Sequence, residues 1–249
     1  MNAEIGKYWR GQKALFEKIH SYGIKEYAEK LGIEKAFASP NGVVTCMDEG
    51  TPQGDFRLAG SGILLGEEDA RKLLEPYVEK GIVKEITSHD ECGAAKIYAV
   101  QNGFDPSEGD KLGKEFSRTI ADKLGVDYRH IPIEEMARPS GFHIARVVYV
   151  DGTGMFNPSR IEQLPIGFVV SRRFLQKDYA LQEVETAIKI ALGDHGFGER
   201  LTKDSPFFVV PIGDPKNTNF SLDTLVKEVE PLARKYEGRV VVDGFEVIF

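Results

Sequence analysis

The chain has 249 residues, of which 41% are hydrophobic and 29% charged, and its formal net charge at pH 7 is -7. These values are typical of a globular protein and argue against binding to nucleic acids or anionic membranes, because both attract clustered positive charge. No apolar run approaches the roughly 20 residues that a membrane-spanning helix needs, and the first residues lack the apolar core of a signal peptide. We therefore expect a cytoplasmic protein with no nucleic acid or membrane as a partner.

The first half of the chain alternates between the periodicity of amphipathic helices and the short apolar runs of buried strands. Helices are predicted at residues 9–31, interrupted near Gly23, and at 67–80, 94–102 and 110–124. Strands are predicted at 42–46, 57–65 (a strand or a turn) and 82–87. One strand therefore ends at Cys46, and another ends directly before Ser88 and His89.

The second half continues the same alternation. Helices are predicted at 179–192 and 221–236, strands at 145–150, 166–171, 207–212, 240–242 and 245–249, and loops at 139–141 and 214–219. This order predicts an α/β fold with a central, mainly parallel β-sheet flanked by helices. Ligands of such sheets bind beyond the carboxyl ends of the strands, so both cysteine segments are expected at one edge.

Cys46 and Cys92 are the only cysteines in the chain. Two cysteines are too few for a disulfide framework, and a reducing compartment would oppose one. Zinc prefers thiolate and imidazole ligands, and catalytic sites leave a fourth position open. Cys46, His89 and Cys92 supply such a set, since a turn that leads into a helix can direct residues 89 and 92 to one point.

The residues alone leave two other interpretations open. The cysteines could be small buried apolar residues, because free cysteine is among the most buried residue types. They could also be a thiol redox pair, which requires Cα atoms less than about 7 Å apart. A position near the start of a helix favours the thiolate of Cys92 in either a metal site or a redox pair.

Three short segments surround these residues, in the order Cys46-x-Asp48, Gly54-Asp55-Phe56-Arg57-x-Ala59-Gly60 and His89-x-x-Cys92-Gly93-Ala94. The segments resemble the β-class carbonic anhydrases, whose motifs read Cys-x-Asp-x-Arg, a Gly-Asp segment leading to Arg-x-Ala-Gly, and His-x-x-Cys-Gly-Ala. The resemblance covers residues 43–96. It implies Zn2+ on Cys46, His89 and Cys92, with Asp48 and Arg57 as catalytic residues.

The resemblance also implies an activity and an assembly. β-Carbonic anhydrases hydrate carbon dioxide reversibly to bicarbonate with a metal-bound hydroxide, since zinc lowers the pKa of its bound water to about 7. Asp48 would act as a gate ligand or as the acceptor for the metal-bound water. Two thiolates donate more charge than three imidazoles, so we expect activity to rise with pH. The family assembles from dimers, so a homodimer or a higher homo-oligomer is expected.

The chain departs from the family pattern at Gly50, which stands where the family has the arginine after Cys-x-Asp-x. Arg57 could pair with Asp48 instead and permit catalysis, or Asp48 could fill the fourth metal position and close the site. The alternatives to carbonic anhydrase activity are therefore hydrolysis of another small linear substrate, carbon disulfide or carbonyl sulfide, and a catalytically silent zinc-binding protein.

The domain organisation expected from the sequence is a single α/β domain over residues 1–249. Its core with the metal site is expected at about 40–130, and residues 145–249 are expected to extend the sheet. We find neither an internal repeat nor a low-complexity linker that would indicate a domain boundary.

Overall fold

The computed structural model of the protein describes residues 2–38, 41–52 and 54–247. The helices of these residues are α1 (Asn2–Tyr22), α2 (Ile24–Lys30), α3 (Glu67–Glu79), α4 (Gly93–Gln101), α5 (Gly109–Leu124), α6 (Lys177–Leu192) and α7 (Leu222–Arg234). The strands are β1 (Val43–Cys46), β2 (Phe56–Leu58), β3 (Glu85–His89), β4 (Asp127–Ile131), β5 (Val147–Asp151), β6 (Phe168–Val170), β7 (Phe207–Gly213), β8 (Val240–Val242) and β9 (Phe245–Glu246). These elements fall into two compact units, a middle unit (Ser39–Ser140) and a terminal unit (Met1–Ala38 with Gly141–Phe249).

The middle unit is built on a four-stranded parallel sheet in the order β2-β1-β3-β4. Val44 and Ile86 on its two central strands are fully buried, as expected for a parallel sheet covered by helices. Helix α5 packs against β3 and also contacts α3 and α4. The side of α5 that is buried carries Phe116 and Ile120, four residues apart, which explains why this segment forms an amphipathic helix.

The order of these strands creates an opening at one edge of the sheet. From β1 the chain continues to β2 on one side, whereas from β3 it continues to β4 on the other side. At such a switch point the connections diverge and leave a crevice beyond the carboxyl ends of the two central strands. Cys46 is the last residue of β1, and His89 is the last residue of β3.

The terminal unit contains a second parallel sheet in the order β6-β5-β7-β8, and β9 also pairs with β7. The edge strand is interrupted between β8 and β9 beside Pro211, which has no N–H to donate to a neighbouring strand. Gly244 lies at this interruption, where a Cβ would come within 2.4 Å of the Pro211 carbonyl oxygen. The close approach of the two backbones therefore requires a glycine.

Helices α1 and α2 belong to the same unit and cover part of its sheet. They are separated by Gly23, whose φ of 82° ends the first helix. The Asp243 carboxylate accepts a hydrogen bond of 2.7 Å from the Ile24 amide at the start of α2. Phe16 and Ile24 share a buried apolar cluster with Tyr149 of β5. None of the described helices is long and apolar enough to cross a membrane.

The two sheets have the same strand order, although the sequence shows no internal repeat. If the strands of each unit are counted in chain order, both sheets run second, first, third, fourth. Asp151 ends β5 in the terminal unit, as Cys46 ends β1 in the middle unit. The same topology therefore carries different chemistry at its carboxyl edge.

The α/β class with parallel strands flanked by helices is confirmed, and so is the helix interruption at Gly23. The prediction that residues 145–249 extend the first sheet is wrong, because the described strands of this region form a sheet of their own. Strand β4 was not predicted. The last two residues of the predicted strand 245–249, Ile248 and Phe249, lie outside the described residues. The single-domain organisation stays a prediction.

Candidate metal centre

The side chains of Cys46, His89 and Cys92 meet at the carboxyl edge of the first sheet. Cys46 and His89 end the two central strands, and Cys92 is the residue that precedes the first turn of α4. Their ligand atoms, two Sγ and one imidazole nitrogen, lie within 4.8 Å of one another. All three residues are buried. The fold therefore brings together the three residues that the sequence selected as metal ligands.

The two ring nitrogens of His89 have different environments. Nδ1 lies 2.8 Å from the Asp90 carbonyl oxygen, and because a carbonyl only accepts, Nδ1 carries the hydrogen. Nε2 is buried and has no hydrogen-bond partner among the described residues. A buried polar atom without a partner is unusual in a folded protein. A metal ion held by Nε2 and the two sulfur atoms would satisfy it, with the backbone contact at Nδ1 fixing the ring.

The Gly60 amide donates a hydrogen bond of 3.1 Å to Cys46 Sγ. Gly60 has a φ of 56°, and a Cβ at this position would come within 2.5 Å of Ile63 Cγ2. Both observations explain why a glycine follows Ala59 in this segment. A backbone donor aimed at the sulfur favours the thiolate, which is the form that binds metal.

Two of the ligand residues, Cys46 and His89, have perturbed pKa values in the absence of a metal ion. Burial raises the pKa of the Cys46 thiol well above its usual value, and the neighbouring Cys92 adds to the increase. Burial alone would lower the pKa of His89, but its interactions with Cys46 and Asp48 raise it to about 9. A divalent cation would offset the cost of burying two thiolates. Two sulfur ligands and one imidazole are a donor set that suits zinc.

The carboxylate of Asp48 is held by Arg138, a residue that the sequence interpretation did not select. Arg138 Nε lies 3.0 Å from both Asp48 Oδ1 and Asp48 Oδ2, across 90 residues of chain. The Gly50 amide donates a further hydrogen bond of 2.8 Å to Oδ1. The exposed fractions of the two side chains are 3% for Asp48 and 1% for Arg138, so the ion pair is buried.

Gly50 makes room for this arginine. A Cβ at residue 50 would come within 2.6 Å of Arg138 Cγ, and the Ala137 amide donates a hydrogen bond of 2.8 Å to the Gly50 carbonyl. In the family motif that the sequence resembles, this position is an arginine. Here it is a glycine, and Arg138 from a distant loop fills the adjacent space. The missing motif arginine was the only signal in the sequence that pointed to such a replacement.

Arg138 also contacts the turn between His89 and Cys92. Its Nη2 donates to the Glu91 carbonyl at 3.2 Å, and its Nη1 donates to Glu91 Oε2 at 3.3 Å. Glu91 has a φ of 57°, which is strained for a residue with a side chain. Burial lowers the pKa of Arg138, but the charges of Asp48 and Glu49 more than reverse this effect, so the guanidinium stays charged. One cation thus holds both Asp48 and the turn that carries two ligands.

Of the two alternatives that the sequence left open for Asp48, one paired it with Arg57; the ion pair that the structure shows joins Asp48 to Arg138 instead. Arg57 Nη1 donates to Thr51 Oγ1 at 2.8 Å, and Nη2 donates to the Pro52 carbonyl at 3.2 Å. Thr51 Oγ1 in turn lies 2.8 Å from the Asp48 carbonyl oxygen. Burial lowers the pKa of Arg57 to about 10, against the charges of Cys46, Asp48 and Asp55. Arg57 therefore fixes the turn after β1 rather than the carboxylate itself.

Asp90, whose carbonyl orients His89, is itself held by two side chains, those of His130 and Lys114. His130 Nε2 lies 2.9 Å from Asp90 Oδ1, and Lys114 Nζ lies 3.2 Å from the same oxygen. Burial raises the pKa of Asp90, but the contacts with His130 and Lys114 lower it below its usual value overall. His130 comes from β4, so the unpredicted edge strand supports the histidine ligand through Asp90.

These contacts describe a group of three residues that could hold a metal ion, with a buried carboxylate beside it that is paired with an arginine. The Asp48 carboxylate is not a member of the group of mutually close ligand atoms, and both cysteines are free thiols. Comparisons with protein-family models, curated proteins and solved structures found no match.

Proposed function

We propose that the protein is a zinc enzyme that reversibly hydrates carbon dioxide to bicarbonate. Cys46, His89 and Cys92 would hold the ion, and zinc when bound supplies the Lewis acidity that makes water nucleophilic near neutral pH. The observation that carries the proposal is the buried Asp48–Arg138 pair next to the group formed by Cys46, His89 and Cys92. This arrangement leaves one coordination position for water.

Asp48 has the role of a hydrogen-bond acceptor in this proposal. An ionised carboxylate only accepts, so it orients the attacking water by receiving one of its hydrogens. Arg138 is the positioning residue that keeps the carboxylate ionised, since a paired guanidinium stabilises the charged form. Arg57 positions the same turn through Thr51.

A catalytically silent zinc site is the main alternative, and it requires Asp48 as the fourth ligand. To reach the metal, the carboxylate would have to leave a buried hydrogen-bonded ion pair with Arg138. Removing one partner of such a pair costs roughly 3–5 kcal/mol, because the remaining charge stays buried. This cost supports a site that is open to water.

The first test is the metal content of the purified protein and of three variants, two at histidines and one at a cysteine. We expect one zinc ion per chain, lost in His89→Ala and in Cys92→Ser but retained in the matched control His20→Ala. His20 is an exposed residue of α1 and belongs to the terminal unit. No metal in the unmodified protein after anaerobic purification without chelators would overturn the proposal and favour the thiol redox pair.

The second test is a carbon dioxide hydration assay on the zinc-loaded protein, with carbon disulfide and carbonyl sulfide as alternative substrates. Hydration that rises with pH supports the proposal. Turnover of a sulfur substrate alone would identify the protein as a hydrolase of another small linear molecule. Bound zinc without turnover of any of the three would identify a silent zinc site.

The proposal includes a cytoplasmic location and a homodimer or higher homo-oligomer. Two free buried thiols support a reducing compartment, where structural disulfides are rare. The oligomeric state follows from the resemblance to a family that assembles from dimers. Light scattering coupled to size-exclusion chromatography measures it directly, and a monomer at micromolar concentration would contradict this part of the proposal.

A further inference from the structure

The terminal unit contains a cavity of about 330 Å³ between α1 and the residues that lead into β5 and β7. Small-molecule sites have volumes of roughly 300–1,000 Å³, so the cavity lies at the lower end of that range. The aromatic rings of Trp9, Phe16 and Phe208 contribute to its walls, and Arg146 lies among them. The lining also contains the charged side chains of Lys13, Glu17 and Asp204. Sites for small organic molecules combine apolar walls with a few placed polar or charged groups.

Arg146 is buried without a counter-charge. Its exposed fraction is 2%, and its guanidinium carbon lies 4.0 Å from the ring centre of Trp9 and 4.0 Å from that of Phe16. Nη2 donates to Ser205 Oγ at 2.9 Å. Nε is buried and has no hydrogen-bond partner among the described residues. None of the ion pairs found in the described part of the chain involves Arg146.

Arg138 and Arg172, two other arginines of low exposure, have the anionic partner that Arg146 lacks. Arg138 pairs with Asp48 at 3.0 Å. Arg172 stacks on the Phe220 ring, as Arg146 stacks on two rings, but its Nε also lies 2.8 Å from Glu228 Oε2. Buried charges are normally paired. Arg146 therefore has the environment of a residue whose anion comes from outside the chain.

We propose that this cavity binds a small organic carboxylate, whose carboxyl group accepts hydrogen bonds from Arg146 and whose apolar part packs against the aromatic walls. A guanidinium matches a carboxylate with two parallel hydrogen bonds. One cation favours a monoanion over phosphate, which carries more charge. The other cation near the cavity, Lys13, already lies 3.6 Å from Glu17.

Arg146 remains charged in this environment. Burial lowers the pKa of Arg146 to about 10, so the guanidinium is protonated at neutral pH. The stacked Trp9 and Phe16 rings stabilise the cation through their negative faces, but rings cannot accept the in-plane hydrogen bonds that the N–H groups offer. A bound carboxylate would supply these acceptors.

The chain contains a natural reporter for this test, because Trp9 is its only tryptophan. The probe is benzoate, with the neutral benzamide as a control of similar shape and inorganic phosphate as a second anion. We expect benzoate to change Trp9 fluorescence with saturation, and benzamide to bind at least about tenfold more weakly, because charge-assisted hydrogen bonds would be lost. Equal binding of both compounds, saturable binding of phosphate but not benzoate, or no saturable change would overturn the proposal.

The variant Arg146→Met tests whether Arg146 is the residue that holds the carboxylate, and Arg172→Met is the matched control. Replacing an unpaired buried charge by an apolar side chain should not prevent folding. Calorimetry should show benzoate binding in the unmodified protein and in Arg172→Met, but not in Arg146→Met. Retained binding in Arg146→Met contradicts the proposal.

Two further measurements keep the result unambiguous. Benzoate should raise the midpoint of thermal unfolding of the unmodified protein and leave that of Arg146→Met unchanged, since a ligand stabilises only the state that binds it. Cys92→Ser should bind benzoate like the unmodified protein, whereas loss of binding in this variant would assign the carboxylate to the candidate metal centre. If Arg146→Met does not fold, the comparison of benzoate with benzamide in the unmodified protein decides whether the cavity selects a carboxylate.

Discussion

Gly50 and Arg138 are complementary in volume: a Cβ at residue 50 would come within 2.6 Å of Arg138 Cγ. The absence of a side chain at residue 50 is therefore the condition for the buried pair between Arg138 and Asp48. The glycine at residue 50 and the arginine at residue 138 are therefore two parts of one structural arrangement.

This relationship predicts that Gly50→Arg is strongly destabilising alone and is rescued by Arg138→Gly. Overpacking a buried position typically costs about 1–3 kcal/mol, and the second arginine adds a repulsive buried charge. The double variant places one arginine at the position of the motif and removes the clash. Urea unfolding of both variants measures the effect. A double variant that is no more stable than Gly50→Arg would show that the two side chains do not compete for this space.

The Asp48–Arg138 pair allows stability and activity to be separated. Arg138→Met removes the arginine of the buried ion pair and leaves the Asp48 carboxylate in place, and we expect a loss of about 3–5 kcal/mol in the free energy of unfolding. Asp48→Asn combined with Arg138→Met removes both charges and should recover most of that loss, while carbon dioxide hydration stays absent. Activity in the double variant would exclude Asp48 from the reaction.

Arg129→Met is the control for this experiment. Arg129 forms two exposed ion pairs, with Glu85 and Glu135, and exposed pairs contribute less than about 1 kcal/mol. A destabilisation by Arg129→Met as large as that by Arg138→Met would mean that loss of any arginine of the middle unit has this effect.

Gly60→Ala should weaken metal binding. The φ of 56° at Gly60 and the approach of Ile63 would both shift the amide that donates to Cys46 Sγ. Groups that support metal ligands typically contribute about 10–100-fold in affinity. Competition with a chromophoric chelator measures this affinity.

Gly81→Ala is the matched control for Gly60→Ala. Gly81 has a φ of 67°, with nothing within 4 Å of a Cβ. The Gly81→Ala variant should lose about 1–2 kcal/mol in stability through backbone strain and keep its metal affinity. An equal loss of affinity in both variants would attribute the effect to general destabilisation rather than to the contact with the sulfur.

We expect the stability of the protein to depend on pH through Asp151, which lies at the end of β5. Burial raises the pKa of Asp151 above its ordinary value, against the hydrogen bonds donated by Thr153 and Phe156. The folded protein therefore keeps this proton to a higher pH than the unfolded chain. The stabilisation from the protonated carboxyl group is complete below the unfolded pKa of about 3.9, and it is lost as the pH rises through the raised pKa.

The variant Asp151→Asn does not titrate, so it isolates this contribution. The free energy of unfolding of the unmodified protein minus that of Asp151→Asn should fall as the pH rises from about 4 and then become constant. Each unit of pKa shift corresponds to about 1.4 kcal/mol in this difference. Urea unfolding between pH 4 and pH 8 (about the range in which folded proteins are most stable) provides the measurement. A difference that increases with pH would contradict the raised pKa.

The parts of the fold that were predictable from the sequence are those in which local pattern and burial agree. The apolar runs of β1 and β5 are buried throughout or nearly so, so composition alone identifies them. Strand β4 was missed because most of its residues are exposed or half-buried, with polar side chains such as Arg129. An edge strand of this kind owes its position to pairing with β3, which no local pattern encodes.

The residues of the candidate site also fall into those that the sequence predicted and those that it did not. Cys46, His89 and Cys92 were identified because spacing and the ends of predicted strands placed them at one edge. Arg138 was missed because its role depends on a loop that approaches Gly50 from far along the chain. The separate second sheet was missed for a related reason: alternating strands and helices predict parallel pairing but do not specify which strands share a sheet.

The long-range origin of Arg138 has a consequence for how such sites change over time. The charge that pairs with Asp48 comes from a residue 90 positions away in the sequence. Gly50 and Arg138 are then expected to vary together among related chains: a small residue at the first position accompanies an arginine at the second, and an arginine at the first accompanies a small or neutral residue at the second.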